Sequence, residues 1–250
     1  MLVWGLILPL LFNLASSTQT FPQRRSAGTP NPVDIVERYI AAIGGRTNWS
    51  SLSSKLTRGS IQLPDARTSG TIEIYEKSPN RLLVKAFIRG VGSYRTGFDG
   101  VEGWQREVDG TVKRLFGAEL VRIKRDADLI HETRILQNCS TLRYKRRERL
   151  NSGEAHVLTC IPVDDPALPR TMYFDAKSGL KVREDLVYVR GSEKMPVSAW
   201  LSDYRKVQDA GILVPHVIIE ATSKGTQIVR VEQVTVNSPV DMAMFNASAE

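Results

Sequence analysis

The sequence predicts a mainly β protein of the α+β kind: one strongly curved antiparallel sheet, a half-open β-barrel of about 11–13 strands, with two or so helices over its concave side. Three observations predict it. Between Lys55 and Leu115, and again between Thr141 and Val236, apolar and polar residues alternate in short runs, the period of a half-buried strand. Turn clusters at Asp99-Gly100, Asp109-Gly110, Asn151-Ser152-Gly153, Ser178-Gly179 and Ala210-Gly211 separate those runs, as hairpins require. Some strands are apolar on both faces. From Arg81 to Arg89, Leu82, Val84, Ala86 and Ile88 share one side while Leu83 and Phe87 hold the other. From Ile212 to Ala221, Leu213, Val217 and Ile219 oppose Val214 and Ile218. Such strands need cover on each side, or a sheet curled around an interior.

The elements follow in order. Leu2 to Phe12 is an apolar run broken only by Gly5 and Pro9, and Ala15-Ser16-Ser17 supplies small residues for cleavage. Residues 1–17 therefore read as a secretory signal peptide, too short for a comfortable membrane span. No Lys or Arg precedes the run, which leaves an uncleaved N-terminal anchor as the alternative. Residues 18–30 are polar, carry Pro22 and Pro30, and show no periodicity; they read as a flexible linker. Residues 31–250 show no further shift in composition and are expected to form one domain with a substantial core. The expected compartment is the periplasm or cell envelope.

Asn31-Pro32 opens the first helix, with Asn31 as N-cap and Pro32 in the first turn. Ile35, Tyr39, Ile40 and Ile43 recur at helical spacing, and Gly44-Gly45 ends it. A second helix is expected from about Ala118 to His131. Its apolar stripe is Leu120, Ile123, Ala127 and Ile130, with Arg122, Arg125, Asp126 and Asp128 facing outward. Neither helix can build a core alone, so both must lie on the sheet. Ile72, Ile74, Leu82, Val84, Ala86 and Ile88 are then the expected lining of the concavity. Trp104, which begins a short strand after a turn, is expected to anchor its hairpin rather than to act on a ligand.

The net charge is +7, yet no nucleic-acid recognition motif accompanies it, and nucleic acid is not an expected partner. The charge reads locally. Strict alternation from Thr141 puts Arg143, Lys145, Arg147 and Arg149 on one face of a strand, opposite Leu142 and Tyr144. Such a face is either solvated and protective of an edge or a transient contact for anionic lipid headgroups. Cys139 and Cys160, the only cysteines, flank the hairpin that turns at Asn151-Ser152-Gly153. An oxidising compartment favours a disulfide between them. Strict register would set Cys160 opposite Arg143, so two buried free thiols remain the alternative.

Catalytic motifs are missing. His131, His156 and His216 are the three histidines, and none sits in an H-E-x-x-H, G-x-S-x-G or cysteine-pair arrangement. His216, inside an apolar strand, reads as a hydrogen-bonded core histidine. Asp164-Asp165 lies between Pro162 and Pro166 and reads as an exposed loop. No catalytic residue, metal or cofactor is expected.

Several phrases resemble the LolA-like outer-membrane lipoprotein-sorting superfamily, which includes periplasmic lipoprotein carriers and lipid-binding relatives. They are the helix from Asp34 to Gly45, Gly97-Phe98-Asp99-Gly100 with Gly103-Trp104, Met172 to Leu180, Asp203 to Val207, and Pro239 to Phe245. The resemblance spans nearly all of Asn31 to Asn246. It implies an open half-barrel whose concavity, covered by helices, accepts acyl chains, with a lipid or acylated protein as partner. The leading function is thus an exported binding protein, carrier or sensor, for a hydrophobic ligand. A non-catalytic envelope module with a filled core is the alternative, and an unrecognised hydrolase is a remote one.

Overall fold

The computed structural model describes residues 28–248. The signal peptide expected over 1–17, and the linker expected over 18–30 up to residue 27, lie outside the described residues. Residues 28–30 carry no regular structure.

Two helices come first among the described residues, α1 (Pro32–Ala42) and α2 (Gly45–Ser50). The Asn31 side chain accepts the Val33 N–H at 3.0 Å, meeting one of the orphan donors of the first turn. Gly44 ends α1 with φ +112°, and a Cβ there would lie 2.2 Å from the Gly211 carbonyl oxygen. Both the turn and the close approach of the Gly211-Ile212 backbone demand glycine. The sequence did not single out α2, which the second glycine opens and whose Trp49 is buried.

Six strands follow as an antiparallel meander: β1 (Ser54–Leu63), β2 (Thr68–Lys77), β3 (Arg81–Ile88), β4 (Gly92–Phe98), β5 (Gly103–Arg106) and β6 (Val112–Arg114). After α3 (Gly117–Asp126), a 3-10 turn at His131–Arg134 and α4 (Ile135–Asn138), seven more strands form a second meander. These are β7 (Cys139–Leu150), β8 (Gly153–Pro162), β9 (Arg170–Asp175), β10 (Lys181–Arg190), β11 (Glu193–Lys206), β12 (Leu213–Thr222) and β13 (Gly225–Val236). The meanders join where β1 pairs with β13, giving one open 13-stranded sheet that runs from β6 to β7.

That topology explains the helices. Strands β6 and β7 are the two edges of the sheet, so the connection between them must travel from one edge to the other. It does so over the concave face. Leu120, Ile123 and Ala127 pack on Leu82, Phe98 and Leu115 near one edge. Ile130 and Ile135 then join Ile35, Tyr39 and Ile40 of α1 in the largest core cluster. The helix expected to reach His131 stops at Asp126, and the chain continues through the 3-10 turn and α4.

The outer face is covered only in part. A 3-10 turn at Met242–Phe245 lays Phe245 against Leu83 and Trp104. Trp104 is 2% exposed and acts as the expected anchor. His216 is buried, its Nδ1 3.1 Å from the Val214 carbonyl oxygen.

Strand β7 corrects the expected cationic face. Its register with β8 slips between Tyr144 and Arg146, and a bulge reverses which side later residues take. Tyr144 stands opposite Leu158, in the core beneath α1, whereas Arg146 stands opposite Val157, which packs on the other side with Ala155 and Tyr173. Arg143 therefore lies on the outer face and Arg147 and Arg149 on the inner one, with Lys145 at the slip. All four are exposed, but they do not share a face. The same slip sets Leu142, not Arg143, opposite Cys160. Cys139 and Cys160 are joined by a disulfide, their Cα atoms 5.4 Å apart.

Candidate functional site: a cavity under the helices

A cavity of about 810 Å³ lies between the sheet and the helices. Its wall draws on Leu82 and Val84 of β3 at one side and Tyr188 of β10 at the other, elements separated in the sheet by β2, β1, β13, β12 and β11. Only a sheet curled around an interior brings such strands to one space. Tyr39 and Trp49 reach it from α1 and α2, and Arg122 and Asp126 from α3.

The body of the cavity is apolar for a reason of register. Ile74 stands opposite Val84, and Ile72 opposite Ala86, so inward residues of adjacent strands form rows. Ile72, Ile74, Leu82 and Val84 border the cavity, joined by Ile218 and Val229 from the second meander. Ala86 and Ile88 occupy the same face of β3 but not the cavity wall. Ile88 is buried against Ile61 and Ile72, toward the turn with β4.

Arg122, Arg125, Asp126 and Asp128 were expected to face solvent; Arg122 and Asp126 border the cavity, Asp126 with its side chain still 41% exposed, and Arg125 and Asp128 are mostly covered. The apolar stripe of α3 faces the β3–β5 side of the sheet, and the next side of the helix borders the cavity. A helix laid across a concave sheet has two enclosed sides, and amphipathic periodicity identifies only one.

One wall of the cavity is a buried polar network. Lys181 Nζ lies 2.6 Å from Glu132 Oε1 and 3.2 Å from Glu184 Oε2. Arg170 lies 2.6 Å from the other Glu184 oxygen. The Tyr39 hydroxyl donates to Glu132 at 2.8 Å, and the Tyr204 hydroxyl donates to the Lys181 carbonyl at 2.7 Å. His131 Nε2 sits 3.3 Å from Glu132. Burial pushes the Glu132 carboxyl up, but Lys181 and His131 outweigh it and hold the group well below the ordinary glutamate value. Burial likewise opposes Glu184, which Arg170 and Lys181 hold below its ordinary value. His131 is raised despite burial, because Glu132 accepts from it. Nothing in the residue pattern marks this network: its members come from five elements, and charged residues in strands read as solvent-facing.

Two further polar spots punctuate the wall. Lys55 pairs with Glu76 at 2.7 Å and lies 5.6 Å from the Trp49 ring centroid. The Tyr188 hydroxyl donates to Glu220 at 3.0 Å, and Gln227 donates to the second Glu220 oxygen at 2.5 Å. Burial raises the Glu220 carboxyl above its ordinary value. The arrangement can enclose an elongated apolar body and set polar groups around it. Among the described residues, no helix is long and apolar enough to cross a membrane, and no cluster of three or more His, Cys, Asp or Glu residues fit to hold a metal ion occurs.

No protein-family model matches the chain, and no curated protein matches it in sequence. Solved structures do. A LolA-superfamily protein from Nitrosomonas europaea superposes with a TM-score of 0.56 at 12% identity, over 87% of this chain and 98% of that one. A DUF1329-family protein from Desulfovibrio piger gives 0.57 at 11% identity, over 87% and 98%. A domain assigned to outer-membrane lipoprotein sorting from Vibrio parahaemolyticus gives 0.55 at 11% identity, over 86% and 97%. The chain shares the fold of these three structures: a curved, unclosed antiparallel sheet with helices in its concavity.

Proposed function

We propose that this protein holds an elongated apolar ligand, the acyl chain of a lipid or acylated protein, in the cavity beneath α1 and α3. It acts as a carrier or sensor and performs no chemistry on the ligand. The observation that carries this reading is the cavity itself. Protein interiors close-pack, yet about 810 Å³ here is left unfilled behind a largely apolar wall. An acyl chain suits such a wall because it needs no directional partner. Each buried methylene contributes about 0.8 kcal/mol, so about fifteen carbons supply on the order of 12 kcal/mol before ordering costs.

The shared fold of a domain assigned to lipoprotein sorting supports the same ligand class. The apolar run from Leu2 to Phe12 supports export to the periplasm or envelope. Arg143, Lys145, Arg147 and Arg149 serve encounter with an anionic membrane, weakly and in a salt-sensitive way, through an edge strand rather than a flat face.

Native mass spectrometry of protein purified from membrane-containing cells tests the reading, followed by uptake of a fluorescent acyl probe by the delipidated protein. A co-purified lipid or saturable uptake is expected. Neither result at any ligand concentration would leave a structural or interaction module with an unused cavity.

A further inference from the structure

We propose that the ligand is an amphiphile with an anionic oxyacid head, carboxylate or phosphate, and that Arg122 is the group that holds the head. This rests on the acyl-binding reading above and narrows it.

The cations of the cavity wall are not equivalent. Lys55 is paired with Glu76 at 2.7 Å, Lys224 with Glu193 at 2.5 Å, and Lys181, just behind the wall, with Glu132 at 2.6 Å. Arg122 borders the same cavity, and it has no hydrogen bond or ion pair among the described residues. Its Nε is buried with no partner. What it has is a platform: the guanidinium carbon lies 4.4 Å from the centroid of the Tyr188 ring. The ring holds the guanidinium in place by a cation–π contact, and the two terminal nitrogens of Arg122 are the donors left for a ligand.

Two carboxylates stand nearby, and neither makes a direct contact with the guanidinium. Both Glu220 oxygens are engaged, by the Tyr188 hydroxyl and the Gln227 amide, and Arg122 acts on this carboxyl only through space, without an ion-pair contact. Asp126, one turn along α3, is 41% exposed and leans to Arg125, 3.6 Å away, where solvent screens it. Tyr188 is thus fixed by Glu220, and Arg122 sits over Tyr188 with no direct hydrogen-bond or ion-pair partner on its guanidinium.

Filling the cavity makes that charge matter. Water can hydrate Arg122 only while the cavity is wet, and an apolar chain expels it. A neutral head would strand a charged donor in an apolar space, whereas a carboxylate or phosphate restores its hydrogen bonds in a two-pronged geometry. The cavity should therefore rank ligands by head charge at constant chain length.

The test is displacement of a neutral fluorescent probe, N-phenyl-1-naphthylamine, by laurate, dodecyl phosphate and dodecanol, which share one chain length. The wild-type protein should bind at least one of the two anions about ten- to hundred-fold more tightly than dodecanol. The tighter of the two names the head. Arg122→Met should erase that preference while the probe and dodecanol bind as before. Should Arg122→Met fail to fold, Arg122→Gln, which keeps length and polarity, carries the same expectation. Equal binding of all three by the wild type, or a preference that survives loss of the guanidinium, overturns the role of Arg122 and leaves the acyl-binding cavity standing. No uptake of the probe by the wild type overturns the acyl-binding reading, and this inference with it.

Discussion

The Trp104 indole N–H donates to the carbonyl of Phe245 at 2.7 Å, linking strand β5 to the last described turn of the chain. The indole also covers Gly97 of β4, where a Cβ would fall 2.5 Å from the ring. This junction lies on the outer face, away from the cavity. Trp104→Ala should cost about 3–5 kcal/mol, a fall in Tm on the order of 10 °C for a domain of this size. Probe uptake by the folded fraction should be unchanged. Unchanged stability with lost uptake would reverse the assignment.

The network around Glu132 makes stability depend on pH in two directions. Glu132 and Glu184 are held below their ordinary values in the fold, so below about pH 4.3 the unfolded chain takes up protons that the folded one refuses. Their contribution is full above that range and is lost as pH falls through the folded values. His131 is raised, so its contribution is full below about pH 6.5 and is lost as pH rises through the folded value. Tm measured against pH should fall steeply in acid and more gently as pH rises above about 6.5. Replacing His131 with Asn should remove the second decline and lessen the first, since His131 also helps to hold Glu132 low.

Lys181→Met should destabilise by about 3–5 kcal/mol, because it removes the cation set between two buried carboxylates and leaves Glu132 with only His131 as a basic partner. Adding Glu132→Gln to it should recover part of that loss. A double variant no better than the single one would show that Lys181 matters for packing alone.

The disulfide between Cys139 and Cys160 closes a loop of 21 residues' separation. Its removal by reduction should cost about 3 kcal/mol by the loop-entropy relation. Thiol titration of denatured, unreduced protein should find no free thiol among these residues, and two per chain would contradict the bond.

Cavity and surface can be tested separately. Ile74→Trp places a bulky ring where Ile74 now borders the cavity, and it should reduce probe uptake while leaving vesicle association intact. Changing Arg143, Lys145, Arg147 and Arg149 to Gln should weaken association with anionic vesicles at low salt and leave uptake intact. Parallel losses in both variants would mean that the two properties share one site.

Local signals were the legible ones. The α1 boundaries follow from Asn31, Pro32 and Gly44, each acting within a turn of itself. The inward set Ile72, Ile74, Leu82 and Val84 follows from a period of two, which survives wherever a strand is regular. The slip at Lys145 defeats that period, and nothing in a run of cations marks which side each takes. The inward turn of Arg122 was hidden for a different reason. It depends on what lies beyond the helix, namely a curled sheet whose far strands arrive some sixty residues later in the chain, as with Tyr188. The network of Glu132, Lys181, Glu184 and Arg170 is less legible still, since it exists only through the sheet order that carries β9 and β10 under the α1–α3 region.

The seam between β1 and β13 bears on how the chain reaches its fold. Lys55 pairs with Val236, and Gln62 with Ile228, so the first strand made meets the last one made at the middle of the sheet. Contacts so distant in sequence cost loop entropy before they stabilise anything, and they slow folding. A chain growing from its N-terminus completes the first meander early, with the free edge of β1 exposed. That edge is ten residues long, an invitation to pair with another copy. The interval before β13 arrives is therefore the period in which this protein most needs to be kept apart from its own kind. A chain that ends before Gly225 never leaves that period.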